Sequence, residues 1–112
     1  MNGSQSALCD RFDVQYQPSE AHLKVGIALA TLAQQPLNAL RHPPVADTTG
    51  WYIWGGGEIP LEDDFFQPVH VSHLDELLPE IVPYLGLPAG WRVQVAPGHE
   101  DVWFDASLLD LS

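Results

Sequence analysis

Apolar residues with helical spacing are concentrated in the second half of the chain. Positions three and four apart share one face of a helix, so this spacing predicts an amphipathic helix. Pro79 and Pro83 cannot both lie in an unbroken helix, and we expect a kink or two short helices, with Pro79 opening the second. Ser72 and Asp75 form a variant of the capping box at its start. The positions that carry the period are Leu74, Leu77, Leu78, Ile81, Val82 and Leu85.

An earlier helix is predicted from Ser19, which suits the N-cap position, to the residue before Pro36. Its apolar residues also recur at helical spacing. Gly26 and the β-branched neighbours Val25 and Ile27 favour this helix less, so a buried strand over residues 23–29 is the alternative.

Short runs of aromatic and β-branched residues predict strands, and turn residues separate them. The segment 1–18 lacks a sustained period and predicts a loosely held N-terminal arm with a short strand around 12–16. Residues 19–112 then form a single α+β domain, a small antiparallel or mixed sheet packed with one or two helices. We expect the tail, residues 105–111, to form one helical turn or to lie extended. The predicted strands are 37–41, 51–54, 69–71, 91–95 and 102–104.

The strand around Trp51 has large residues on both faces. Alternation sends Trp51 and Ile53 to one side and Tyr52 and Trp54 to the other. One pair can enter a core, and the second pair needs another layer or a binding partner. Rings beside acidic residues are typical of protein interfaces.

The chain is strongly acidic. Fifteen Asp and Glu oppose four Lys and Arg, which gives a net charge of −11. Eight of the carboxylates and no Lys or Arg lie between Arg41 and Arg92. Nucleic acids and anionic membranes should be repelled, whereas a cationic protein should be attracted. The alternative interpretation is a hydrated surface that keeps the protein soluble.

The sequence favours a soluble protein of the cytoplasm. Cys9 is the single cysteine, so no intramolecular disulfide forms. The N-terminus has neither the basic nor the apolar region of a secretory signal. The longest mostly apolar run, residues 25–33, is about half the length of a membrane span.

No cofactor, metal site or catalytic residue is predicted. Glycines 55–57 precede Glu58 rather than the Lys of a phosphate-binding loop. His70 and His73 have zinc-like spacing, with Glu58, Asp63, Asp64 or His99 as further candidates. However, the first histidine lies in a predicted strand and the second in a helix. A small metal-dependent enzyme stays an alternative, as does a homodimeric structural or adaptor module that pairs through the Trp51 strand.

Three stretches resemble the small bacterial immunity proteins that are encoded beside polymorphic or type VI secretion toxins. They are TTGWYIWGGGE (48–58), PVHVSHLDELLPEIVPYLGLPAGWRV (68–93) and EDVWFD (100–105). The resemblance covers roughly residues 40–111. It implies an α+β fold and a non-enzymatic protein that binds a cognate toxin and blocks it, without specifying the toxin's chemistry.

Charge and resemblance together predict where the toxin binds. A toxin that acts on nucleic acids or nucleotides needs a cationic cleft, and an acidic segment with aromatic anchors can occupy it. A toxin of another chemistry could instead be bound beside its active site. The predicted partner-binding residues are Trp54, Glu58, Glu62, Asp63, Asp64, Phe65 and Phe66.

Overall fold

A six-stranded mixed sheet forms the centre of the protein. The computed structural model describes residues 2–17, 19–44, 46–56 and 66–109. The order across the sheet is β4-β1-β3-β2-β5-β6. The strands are β1 Lys24–Ile27, β2 Leu37–Arg41, β3 Thr48–Gly55, β4 Gln67–His70, β5 Trp91–Ala96 and β6 His99–Phe104.

Only one neighbouring pair of strands, β1 and β3, is parallel, and the other four pairs are antiparallel. The predicted α+β class with a mixed sheet is confirmed. β3 pairs with β1 on one side and with β2 on the other. The Trp51 strand therefore has no open edge with which a second copy could pair, and a homodimer that uses its exposed face stays a prediction.

Short helical segments cover one face of the sheet. Helix α1 spans Asn2–Arg11 and α2 spans Leu74–Leu77, with 3₁₀ turns at Val71–His73 and Val82–Tyr84. The predicted interruption near the two prolines is confirmed, but Pro79 does not open the second segment, which is the 3₁₀ turn that begins at Val82. The capping box is wrong, because no side chain caps α2. Instead, α2 continues from the preceding 3₁₀ turn, where the Leu74 amide donates to the Val71 carbonyl.

The helix predicted from Ser19 is wrong, and the alternative strand is confirmed as β1, followed by a 3₁₀ turn at Leu29–Thr31. Val25 and Ile27 point into the core and are fully buried. Gly26 faces the other way, where a Cβ would lie 2.8 Å from the Tyr52 ring. Pairing with two neighbouring strands thus outweighs the local helical pattern.

The N-terminal segment is also different from its prediction. Residues 12–16 form no strand, and the residues before them form α1. Cys9 is 1% exposed and contacts the Gly86 carbonyl, while the Gln5 amide donates to the Val82 carbonyl at 3.0 Å. The helix is packed rather than loosely held. It was missed because its apolar residues 7–9 are contiguous and give no helical period. A boundary at residue 18 stays a prediction.

The two faces of the sheet carry different clusters. The face beneath the helices, called the helical face, contains the main core, including Trp51 and Ile53. The opposite face, called the open face, carries Tyr52 and Trp54, as alternation predicted. A smaller buried cluster lies on the open face and consists of Ala28, Leu40, Trp54 and Leu108, with Phe66 packed against it.

Candidate protein-binding surface

Two of the seven predicted partner-binding residues, Trp54 and Phe66, lie within the described part of the chain. The other five, Glu58, Glu62, Asp63, Asp64 and Phe65, lie outside the described residues, and their role stays a prediction. The described residues on either side are Gly56, which directly follows β3, and Phe66, which directly precedes β4.

Aromatic rings pack edge to face on the open face. The Phe66 ring lies 5.2 Å from Tyr52 and 6.3 Å from Trp54, and His42 lies 5.7 Å from Tyr52 on its other side. Trp54 is only 4% exposed, so its indole packs beneath Phe66 and offers little surface to a partner. Tyr52 is 37% exposed, so it is the aromatic residue of β3 whose surface a binding partner could cover. The sequence placed Tyr52 on this face but did not select it as an anchor.

A hollow of about 260 Å³ lies beside these rings. Its walls include Tyr52, Phe66 and Pro68, and Gly26 and Gly50 contribute to its lining. Gly50 has φ +90°, and a Cβ there would lie 1.9 Å from the His42 carbonyl oxygen. Only glycine fits this position without moving the backbone. The hollow is smaller than typical small-molecule sites and suits one protruding side chain of a protein partner.

The cationic side chains are engaged within the fold. Lys24 pairs with Asp47 at 3.0 Å, Arg92 pairs with Asp105 at 3.1 Å, and Arg11 pairs with Glu100. The hydrogen bond from Lys24 lowers the pKa of Asp47. For Asp105, the pKa is lowered by hydrogen bonds from Ser107 first and then from Arg92.

The fourth cation, Arg41, is 1% exposed. The exposed parts of Arg11 and Lys24 lie in ion pairs with carboxylates, whereas Asp75, Glu76 and Glu80 are exposed. The described surface is dominated by negative charge, in agreement with the composition.

A further exposed ring pair lies on β6. Trp103 is 36% exposed on the open face, and Phe104 is 50% exposed on the helical face. The Arg92 guanidinium lies 5.5 Å from the centre of the Trp103 ring, and the Trp91 ring lies 5.9 Å from Phe104. The sequence predicted a strand here but no binding role. Side chains alternate between the two faces of a strand, and this alternation could have indicated from the sequence that each face of β6 carries one ring.

The two histidines of the zinc-like motif do approach each other. The His70 and His73 rings lie 5.9 Å apart, edge to face. Within the described ranges, no group of three His, Cys, Asp or Glu residues is placed to hold a metal ion. His99 begins β6, at the opposite edge of the sheet from β4, so it does not join them. Glu58, Asp63 and Asp64 lie outside the described residues.

These features define a small α+β domain with helices on one face of the sheet and aromatic rings on the opposite, open face. A family model for the Imm33-like domain matches residues 4–105. The chain therefore belongs to the Imm33-like family, an immunity-protein family, and the resemblance seen in the sequence is confirmed. The match also includes α1 and β1, where no resemblance was visible. Neither the curated proteins nor the solved structures contain a match to this chain.

The helices of the described segments are all short. None of them has the length and apolar character that a membrane crossing requires.

Proposed function

We propose that this protein is an immunity protein that binds a cognate bacterial toxin and occludes the toxin's active site, without catalysing a reaction itself. Membership of the Imm33-like family is the observation that carries this proposal. An immunity-protein family implies a toxin partner in general terms. The structure adds a surface suited to a protein partner.

Binding in this proposal takes place on the open face beside Phe66 and uses the acidic segment that precedes it in the chain. Phe66 and Trp54 stand beside the exposed Tyr52 and the 260 Å³ hollow. Rings at the centre of an interface commonly supply most of the binding energy. The proposed contact residues are Glu58, Glu62, Asp63, Asp64, Phe65 and Phe66, and the buried Trp54 acts by packing against Phe66 rather than by direct contact.

The charge of the chain supports a cationic active-site cleft as the target. Three of the four Lys and Arg are held in ion pairs and the fourth is buried, so the net charge of −11 is presented mainly by carboxylates. A negative surface speeds association with a positive one and matches a cleft that normally holds an anionic substrate.

Co-expression with the toxin domain encoded by the adjacent gene tests this function. The wild-type protein should restore growth and should form a complex with the purified toxin domain. Asp63→Lys with Asp64→Lys should weaken the complex by about tenfold or more and abolish protection. The matched control is Asp75→Lys with Glu76→Lys, an equal charge change at exposed positions of α2 on the helical layer.

The two pairs of substitutions separate recognition from net charge. Equal loss of protection in both would show that only total charge matters, and full protection by the first pair would place the contact elsewhere. Failure of the wild-type protein to bind or to protect would overturn the proposed function. Thermal unfolding of each variant checks that the fold is retained, since exposed substitutions usually change stability by under roughly 0.5 kcal/mol.

A further inference from the structure

The two edges of the sheet are unequal. β4 is four residues long and contains Pro68, which has no amide hydrogen to donate. β6 is six residues long and contains neither proline nor lysine, the residues that commonly protect an exposed edge. One edge is therefore blunted, whereas the other is open to pairing.

The hydrogen-bond pattern identifies which groups of β6 face outward. Two residues, Pro97 and Gly98, join β5 to β6, so Ala96 and His99 close the hairpin as partners. At the far end, the Asp105 amide donates to the Gly90 carbonyl at 2.7 Å. Bonded and non-bonded pairs alternate in an antiparallel ladder. The backbone groups of residues 100, 102 and 104 consequently point away from β5.

The side chains along this edge combine rings with an unbridged carboxylate. Trp103 and Phe104 are exposed on opposite faces of the strand. Arg11 pairs with Glu100, and Arg92 pairs with Asp105. Asp101 is exposed and takes part in neither ion pair. Asp101 and Trp103 lie two residues apart and share the open face.

The chain that follows β6 turns away from the edge. Its 3₁₀ turn, Ala106–Leu109, buries Leu108 against Leu40 and Trp54 near the middle of the open face. The Leu108 carbonyl accepts a hydrogen bond from His42 Nδ1 at 3.0 Å. The described part of the C-terminal segment therefore leaves β6 uncovered.

We propose that the cognate toxin adds an extended segment to the free edge of β6 as a seventh strand of the sheet. This inference rests on the proposed function and assigns that function a backbone-mediated contact. The segment would carry a cationic side chain opposite Asp101 and an apolar one opposite Trp103, two residues apart on the same face. Main-chain hydrogen bonds supply affinity in this mode of recognition, and alternate side chains supply specificity.

The charge favours the toxin over a second copy of this chain. A second copy would also carry a net charge of −11, and among the described residues no cation pairs with Asp101 at this edge. A cationic toxin brings the opposite sign. The distance across the sheet also permits one partner to contact both the β6 edge and the surface beside Phe66. Five strand spacings separate β6 from β4, roughly 24 Å, which is within the span of a standard interface of about 800 Å² per partner.

Amide hydrogen exchange followed by NMR tests the added strand directly. In the free protein the amides of Glu100, Val102 and Phe104 should exchange fast, while those of Asp101 and Trp103, bonded to β5, should already be protected. Adding the toxin domain of the adjacent gene should slow the first three by about tenfold or more. A partner that only covers one face would not produce this alternating pattern.

Matched variants give a second readout. Val102→Pro removes an outward amide and should raise the Kd at least about tenfold more than Val102→Ala, which changes the side chain alone. Asp101→Lys should also raise the Kd about tenfold, whereas Asp75→Lys on the helical layer should not. Thermal unfolding confirms that each variant folds, and the exchange experiment needs no substitution.

Each remaining outcome would overturn the proposal. A toxin that binds while the three outward amides still exchange fast would refute the added strand and leave the proposed function standing. Slow, concentration-dependent exchange of these amides without toxin would assign the edge to a second copy. No binding to the toxin would end both proposals together.

Discussion

Arg41 illustrates how one polar residue can organise this small domain. Its guanidinium is buried and donates to carbonyls from separate segments, those of Thr49 at 2.9 Å, Gln17 at 2.9 Å and Leu87 at 2.8 Å. Burial lowers its pKa to about 10, so it remains charged at neutral pH. Arg41 lies at the end of β2. Its hydrogen bonds thus link this strand to β3, to the segment after α1 and to the turn before β5.

Replacing Arg41 should therefore destabilise the protein severely. Arg41→Met keeps most of the side-chain volume but leaves several buried carbonyls without a donor, and we expect a loss of about 3 kcal/mol or more in the free energy of unfolding. Urea denaturation measures it. Arg92→Met, at a partly exposed guanidinium paired with Asp105, is the matched control and should cost much less. Equal losses in the two variants would contradict the role assigned to Arg41.

Residue-level prediction from the sequence succeeded where alternation was the only information needed. The opposite orientations of Trp51 and Tyr52 were predicted correctly because successive residues of a strand face opposite sides. The burial of Arg41 was not predicted, because its acceptors lie between 8 and 46 residues away in the chain. A local pattern carries no information about such distant acceptors.

At the level of elements, the sequence predicted the strands from β2 onward correctly, whereas its main predictions for the segment before β2 were wrong. β2, β3 and β5 contain the runs that were expected, and each pairs with neighbours on both sides. β1 was predicted as part of a helix, because its four residues become a strand only through pairing with β3 and β4. Its neighbours are distant in sequence, so local spacing alone could not decide between helix and strand.

Glu100 connects three elements and gives the stability a defined pH dependence. The Tyr84 hydroxyl and the Arg11 guanidinium donate to its carboxylate, which joins α1, the turn at Val82–Tyr84 and β6. The hydrogen bonds from Tyr84 and then Arg11 hold the pKa of Glu100 below its ordinary value of 4.5. Burial first, and then this carboxylate, raise the pKa of Tyr84 to about 12.

Because the folded-state pKa of Glu100 is depressed, its contribution to stability is present above the unfolded-state pKa. It is lost as the pH falls through the lower folded-state pKa. The difference in unfolding free energy between the wild-type protein and Glu100→Gln should therefore be constant near neutral pH and shrink below pH 4.5. Urea denaturation across the acidic range measures this difference.

A double-mutant cycle provides the control for Glu100. In a Tyr84→Phe background, the main donor to the carboxylate is absent, so Glu100→Gln should cost less at neutral pH. A difference that is the same in both backgrounds, or one that grows as the pH falls, would contradict the role of this contact.

At the level of the whole molecule, the sequence predicted the acidic character of the protein but not the exposed edge of its sheet. Charge is additive along the chain, so the acidic character followed from composition alone. Which strand forms an edge depends on the order of strands, a property of long-range pairing. The open edge at β6 and its rings Trp103 and Phe104 therefore became visible only in the assembled sheet.

The net charge of −11 should make toxin binding depend strongly on salt. Long-range attraction acts before contact, so screening should lower the association rate constant and change dissociation little. Between about 0.05 M and about 0.5 M NaCl, we expect the association rate constant to fall about tenfold or more and the dissociation rate constant to change less than about threefold. Surface plasmon resonance with the purified cognate toxin domain measures both.

If Asp63→Lys with Asp64→Lys flattens the salt dependence more than Asp75→Lys with Glu76→Lys does, the attraction is local to the proposed acidic contact. Equal flattening would assign it to the charge of the molecule as a whole, and a salt-independent association rate would refute electrostatic steering altogether.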